Sequence, residues 1–141
     1  LQDMVLRGRG KIMNVASTAA FQSGPTFAVY SATKAYVLSF SEAINNEVRN
    51  KGITITALCP GATKTGFQDA AAMNESKIFK AKNLPSAKEV AEFGYASMMK
   101  GKTVAIHGFM NSILAFSSRL IPRALVSRKE FRLMGMEKMI S

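Results

Sequence analysis

Two apolar, strand-like runs stand on either side of one long helical pattern, and this arrangement limits the fold more than any other feature of the chain. "KIMNVAS" at 11–17 is an apolar run with a polar end, set off by Gly8 and Gly10. "ITITALCPG" at 53–61 is rich in β-branched residues and is bounded by Gly52 and by Pro60-Gly61. Between them Phe27, Tyr30, Ala35, Val37, Leu38, Phe40, Ala43, Ile44 and Val48 recur at helical spacing, which predicts one helix over roughly 26–50. A strand that returns through a helix enters the sheet in its original direction, so the two strands pair parallel as a βαβ unit. Parallel strands are covered on both faces, and both runs are expected to be buried.

The rest of the chain extends this α/β pattern. "SAKEVAEFGYASMMKG" at 86–101 opens with Ser86 and Glu89 at capping-box spacing and closes on a glycine, the signature of a second helix. "TVAIHG" at 103–108 reads as a third strand. Residues 61–85 are punctuated by Gly61, Gly66 and Pro85, with Phe67, Met73, Ile78 and Phe79 scattered among them, and read as a flap over a site. The tail, 111–141, reads as two short amphipathic helices separated at Pro122. The 141 residues suffice for one modest domain. "LQDMVLRGRGKIMNV" reads as the end of a helix running into a strand and begins without methionine, as a piece of a longer polypeptide would.

Three side chains are brought to one crevice by this topology. Ser17 stands at the C-terminal end of the first strand, the edge where open α/β sheets bind ligands. Tyr30 and Lys34 lie one turn apart near the start of the following helix. A phenol is a poor acid–base catalyst at neutral pH, but an adjacent ammonium favours the phenolate, and a neutral hydroxyl can hold a carbonyl oxygen while the phenol passes it a proton. By spacing alone the pair also fits a core phenol beside a surface charge. Its setting, between two strands with "PGATKT" opening after the second, favours the chemical reading.

"GKIMNVAST", "YSATK" and "CPGATKT" together resemble the short-chain dehydrogenase/reductase family: its asparagine-containing strand with a catalytic serine, its Tyr-x-x-x-Lys motif and its Pro-Gly segment. The resemblance implies the C-terminal half of a doubly wound, Rossmann-like parallel sheet, represented by three parallel strands with helices. It implies an enzyme that interconverts an alcohol and a carbonyl compound with NAD or NADP. Ser17 would orient the carbonyl, Tyr30 would act as general acid and base, and Lys34 would lower the phenol's pKa and bind the nicotinamide ribose. Pro60 and Gly61 would contact the nicotinamide, backbone and hydroxyl groups around Thr63 and Thr65 would contact the carboxamide and pyrophosphate, and Asn14 would be structural. The family's G-x-x-x-G-x-G turn and its Asn-Asn-Ala-Gly segment do not occur in this sequence, so residues 1–141 are expected to be a partial domain, inactive alone and marginal in stability, with an unpaired edge at the first strand. The complete protein is expected to be a homo-oligomer paired through the long helix.

Charge and cysteine usage narrow the remaining choices. The net charge is +10, and residues 71–141 carry 12 Lys and Arg against 5 Asp and Glu. The alternative to the enzyme reading is a non-catalytic product, either truncated or a basic module that binds an acidic surface or nucleic acid, which such an excess suits. No block of five like charges occurs, and no nucleic-acid motif accompanies the charge. For the tail, with Arg119, Arg123, Arg128, Lys129 and Arg132 among apolar positions, subunit packing or solvation is favoured over an anionic membrane surface. Cys59 is the only cysteine, which excludes an internal disulfide and fits a reducing, cytoplasmic setting; it reads as a packing thiol rather than a reactive one. His107 has no partner at ligand spacing and reads as structural, so no metal site is expected.

Overall fold

The computed structural model describes residues 1–24, 27–66 and 83–118, together with positions 120, 122 and 125. A short helix α1 (Gln2–Leu6) leads into strand β1 (Gly10–Val15), followed by a 3-10 turn (Thr18–Phe21) and the long helix α2 (Ala28–Val48). Strand β2 (Ile53–Cys59), helix α3 (Ala87–Met99), strand β3 (Val104–Ile106) and helix α4 (Phe109–Ser117) complete the order. The strands form one parallel sheet in the order β1-β2-β3. Gly10 is opposite Ile53 and Val15 opposite Leu58, while Ala57 to Cys59 face Val104 to Ile106.

β2 is the centre of the molecule because both of its faces are covered. Its odd positions meet α2: Ile53 and Ile55 pack with Val48, and Ala57 and Cys59 with Leu38. On the opposite face Leu58 packs with Val90 of α3. The alternation follows from the two-residue period of a strand, and a continuous apolar run satisfies both sides. One polar side chain fastens the layers. Buried Asn45 of α2 accepts a hydrogen bond from the Ile55 N–H at 2.8 Å and donates to Thr103 Oγ1 at 3.1 Å. The Ala57 N–H on the same side of β2 already reaches Thr103 O, so Asn45 serves the next amide down, beyond the start of β3.

Turn chemistry joins the elements where the sequence marks it. After α2 a 3-10 turn (Arg49–Lys51) ends at Gly52, whose φ is +73° and where a Cβ would collide with the Gly8 carbonyl oxygen. The predicted capping box of α3 is formed: Ser86 Oγ accepts from the Glu89 N–H, and Glu89 Oε2 accepts from the Ser86 N–H at 2.7 Å.

One expectation, the burial of the first strand, is corrected by this architecture. β1 is only half-buried, with Val15 52% exposed, because it has β2 on one side and no strand on the other among the described residues. The outer face of α2 likewise leaves Tyr36 and Phe40 exposed, stacked on each other at 5.8 Å. α4 is amphipathic in the inverted sense: Asn111, Ser112 and Ala115 face the body, whereas Phe109 and Phe116 are 79% and 63% exposed. Of the predicted flap, residues 67–82, with Phe67, Met73, Ile78 and Phe79, lie outside the described residues, as do Arg119, Arg123 and everything from 126 onward in the tail.

Candidate active site

The chain beyond β1 stays attached to the chain beyond β2. The Ala16 N–H reaches Leu58 O at 2.8 Å and the Thr18 N–H reaches Pro60 O at 2.9 Å, so the parallel pairing continues past the ends of the strands. Ser17 sits between these two bonds, nearly buried, two residues past the last residue of β1. Its hydroxyl accepts from the Ala19 N–H at 3.1 Å, capping the 3-10 turn, and lies 3.5 Å from Pro60 O as a long donor. This local cap fixes the χ1 direction of a side chain that lines the cleft.

Tyr30 is in the first turn of α2, its ring held edge-on by Phe27 at 5.6 Å. Lys34, one turn later, extends back to the sheet, where Nζ donates to the Val15 carbonyl at 2.9 Å. The same ammonium stands 5.7 Å from the centre of the Tyr30 ring. The i, i+4 spacing therefore places phenol and cation together, and the last carbonyl of β1 aims the cation.

A cleft of about 430 Å³ is lined by all seven residues singled out from the sequence: Ser17, Tyr30, Lys34, Pro60, Gly61, Thr63 and Thr65. Thr63 Oγ1 bonds Gly61 O at 3.0 Å, folding the Pro-Gly segment back on itself. Gly61 is required there by close approach, since a Cβ would stand 2.5 Å from Asn111 Nδ2, which is itself held by His107 O. The walls are apolar, with Met13, Leu58, Val90 and Phe27 among them, and Gln22 adds a carboxamide. No motif announced Gln22 or Phe27; their signal is their position, in the turn between Ser17 and Tyr30.

The other candidates fall into structural places. Asn14 donates to Ser41 Oγ at 2.9 Å, tying β1 to α2. Burial pushes the Cys59 thiol up to about 12, which keeps it protonated and unreactive. His107 packs edge-on against Phe93 at 5.1 Å, and no cluster of metal-ligating side chains exists among the described residues.

The donor set fits a nicotinamide nucleotide. An ammonium with three N–H donors, one of them spent on Val15 O, stands with a phenol and two threonine hydroxyls at the rim of an apolar cleft, which suits a ribose diol and a carboxamide.

Comparison with known proteins gives the same lineage. The chain is 39% identical to rat (Rattus norvegicus) 17-beta-hydroxysteroid dehydrogenase type 3 over 80 residues, 57% of this chain and 26% of that one. It is 43% identical to the (S)-acetoin-forming diacetyl reductase of Staphylococcus epidermidis over 63 residues, 45% and 24% of the two chains. A short-chain dehydrogenase from Sphingobium yanoikuyae, solved in complex with NADPH, superposes with a TM-score of 0.66 at 26% identity, over 84% of this chain and 46% of that one. The matched segment thus spans about a quarter of the length of these curated relatives. The family model for short chain dehydrogenases matches residues 1–76, more than half of the sequence and all of the cleft's Ser, Tyr, Lys and Pro-Gly positions, and the chain belongs to the short-chain dehydrogenase family.

Proposed function

We propose that this chain is the carbonyl- and nicotinamide-facing part of an NAD(P)-dependent oxidoreductase that interconverts an alcohol and a carbonyl compound. The observation that carries the reading is the convergence of Ser17, Tyr30 and Lys34 on one cleft, with Lys34 tied to the Val15 carbonyl. A bound NAD(P) supplies the hydride. Ser17 holds the carbonyl oxygen through its hydroxyl, and Tyr30 delivers a proton to that oxygen or takes it back in the reverse direction. Lys34 provides the positive charge beside the phenol and donates to the ribose, while Thr63, Thr65 and the Pro60-Gly61 backbone orient the carboxamide. The apolar walls exclude water from the reacting carbon and favour a neutral substrate. The relatives' names, a hydroxysteroid dehydrogenase and a diacetyl reductase, are consistent with this class of reaction.

The adenosine and pyrophosphate are bound, in this reading, by a glycine-rich half upstream of residue 1, and the complete protein works in a reducing compartment. In that complete protein Tyr30→Phe should lower turnover by about 10²–10⁴-fold, the range for removal of a general acid, with cofactor affinity nearly unchanged. Turnover retained within a few-fold would remove Tyr30 from the proton-transfer role.

A further inference from the structure

The cleft holds a carboxamide that nothing else among the described residues uses. Gln22 closes the 3-10 turn that Ser17 opens, with its backbone extended, and it is half-buried in the cleft wall. Its side chain has no hydrogen-bond partner among the described residues. Other polar groups of the lining are engaged: Ser17 Oγ accepts from the Ala19 N–H, Lys34 Nζ donates to Val15 O, and Thr63 Oγ1 bonds Gly61 O. A carboxamide left over in a largely apolar wall is satisfied by solvent or by a ligand, and a ligand that displaces the solvent without replacing its hydrogen bond leaves the amide unpaired.

The turn sets where such a ligand group lies. Ser17 is its N-cap and Gln22 its C-cap, so both belong to one short piece of backbone. At about 2.0 Å of rise per residue, the turn separates the two by roughly 10 Å. With the reacting carbonyl held by Ser17, a group within reach of Gln22 stands several bonds further along the substrate. We propose that Gln22 is a specificity-determining residue: it donates from Nε2 to a second oxygen of the substrate, and so selects a bifunctional carbonyl compound such as a keto ester over a plain ketone. The inference rests on the carbonyl-reducing reading of the cleft and adds a substrate class to it. A vicinal diketone does not meet the requirement, since both of its oxygens stay at the Ser17 end. The second group is uncharged, because Lys34 is the one charged side chain in the described lining and is already committed to Val15 O.

The test uses the complete protein with NADH and NADPH, and compares ethyl levulinate, an uncharged keto ester, with the unbranched methyl ketone of equal chain length. The parent should favour the keto ester by about tenfold or more in kcat/KM, since the plain ketone leaves the desolvated amide unpaired. Gln22→Leu should bring the two values to within a few-fold of each other, with the loss concentrated on the keto ester. Gln22→Glu keeps the length of the side chain but, ionised at neutral pH, has no N–H to donate, so it too should lose the preference. It decides the matter if Gln22→Leu melts early. A parent without the preference, or a preference that survives both substitutions, would overturn the inference. Equal losses on both ketones would do the same, by marking Gln22 as structural. Tyr30→Phe distinguishes this inference from the reading beneath it, because it should lower turnover of both ketones alike. If the parent reduces both, Tyr30→Phe reduces neither and Gln22 leaves the ratio unmoved, the specificity role falls and the carbonyl chemistry stands. A parent that reduces neither ketone removes both.

Discussion

Asn45 shows how much one side chain can decide when the backbone around it has run out of partners. Its amide substitutes for a strand residue that β3 is too short to supply, and both of its ends are used. Asn45→Ala should leave the buried Ile55 N–H without an acceptor and cost about 1–3 kcal/mol, read as a lowered melting temperature or denaturant midpoint. Asn45→Asp keeps the acceptor but loses the donor to Thr103 and buries a carboxylate, so at neutral pH it should also be less stable than the parent. Nothing in the sequence marked this residue, because an asparagine near the end of a helix reads as a surface or stop residue until the register of β3 is known. Ser17, Tyr30 and Lys34 were legible for the opposite reason. Their placement follows from the end of a strand and the pitch of a helix, both of which local sequence specifies.

Among the elements, the helices were legible in outline and the strands in their burial only where they have two neighbours. The α3 cap was read from Ser86 and Glu89 alone, since both halves of that motif lie within four residues. It also carries a pH dependence. Hydrogen bonds from the Ser86 backbone and side chain hold the Glu89 carboxyl below its ordinary value, so its protonation opposes the cap. The sign is that of a depressed acid: the contribution to stability is present above the unfolded-state pKa and is lost as pH falls through the lower folded one. Thermal melts below the ordinary glutamate range should show Glu89→Gln closing part of its gap to the parent, while at neutral pH the parent is the more stable. An identical gap at both pH values would remove Glu89 from the cap. β1 reads as buried by its pattern and is not. Its apolar pattern is that of an interior strand, and pattern alone does not reveal that one side lacks a neighbour among the described residues.

At the scale of the whole molecule, the chain carries a cleft lined by a phenol, an ammonium and a hydroxyl, and a sheet whose first strand is half-covered. An apolar strand edge and the exposed Val15, Tyr36 and Phe40 favour self-association over a discrete monomer. The purified 141-residue chain should therefore reduce no carbonyl in the presence of NADH or NADPH, even at high enzyme concentration. Steady turnover by that chain would refute the placement of the nucleotide-binding half outside residues 1–141. The fold class could be read without coordinates because the order strand, helix, strand admits few topologies. The outward apolar face of α4 could not, since periodicity gives the existence of a stripe and not the direction in which it points.

The bond from Lys34 Nζ to the Val15 carbonyl gives the half-covered strand a second meaning. That carbonyl belongs to the final residue of β1, so the cation reports the posture of the sheet's border. A slip of β1 by one residue would shift the anchoring oxygen by about 3.3 Å along the strand and turn it to the opposite side, and the ammonium would follow or let go. Under the proposed role of Lys34, chemistry and assembly are interlocked: whatever seats the border strand also sets the ammonium, and a molecule with that strand unseated should lose the bond from Lys34 to Val15.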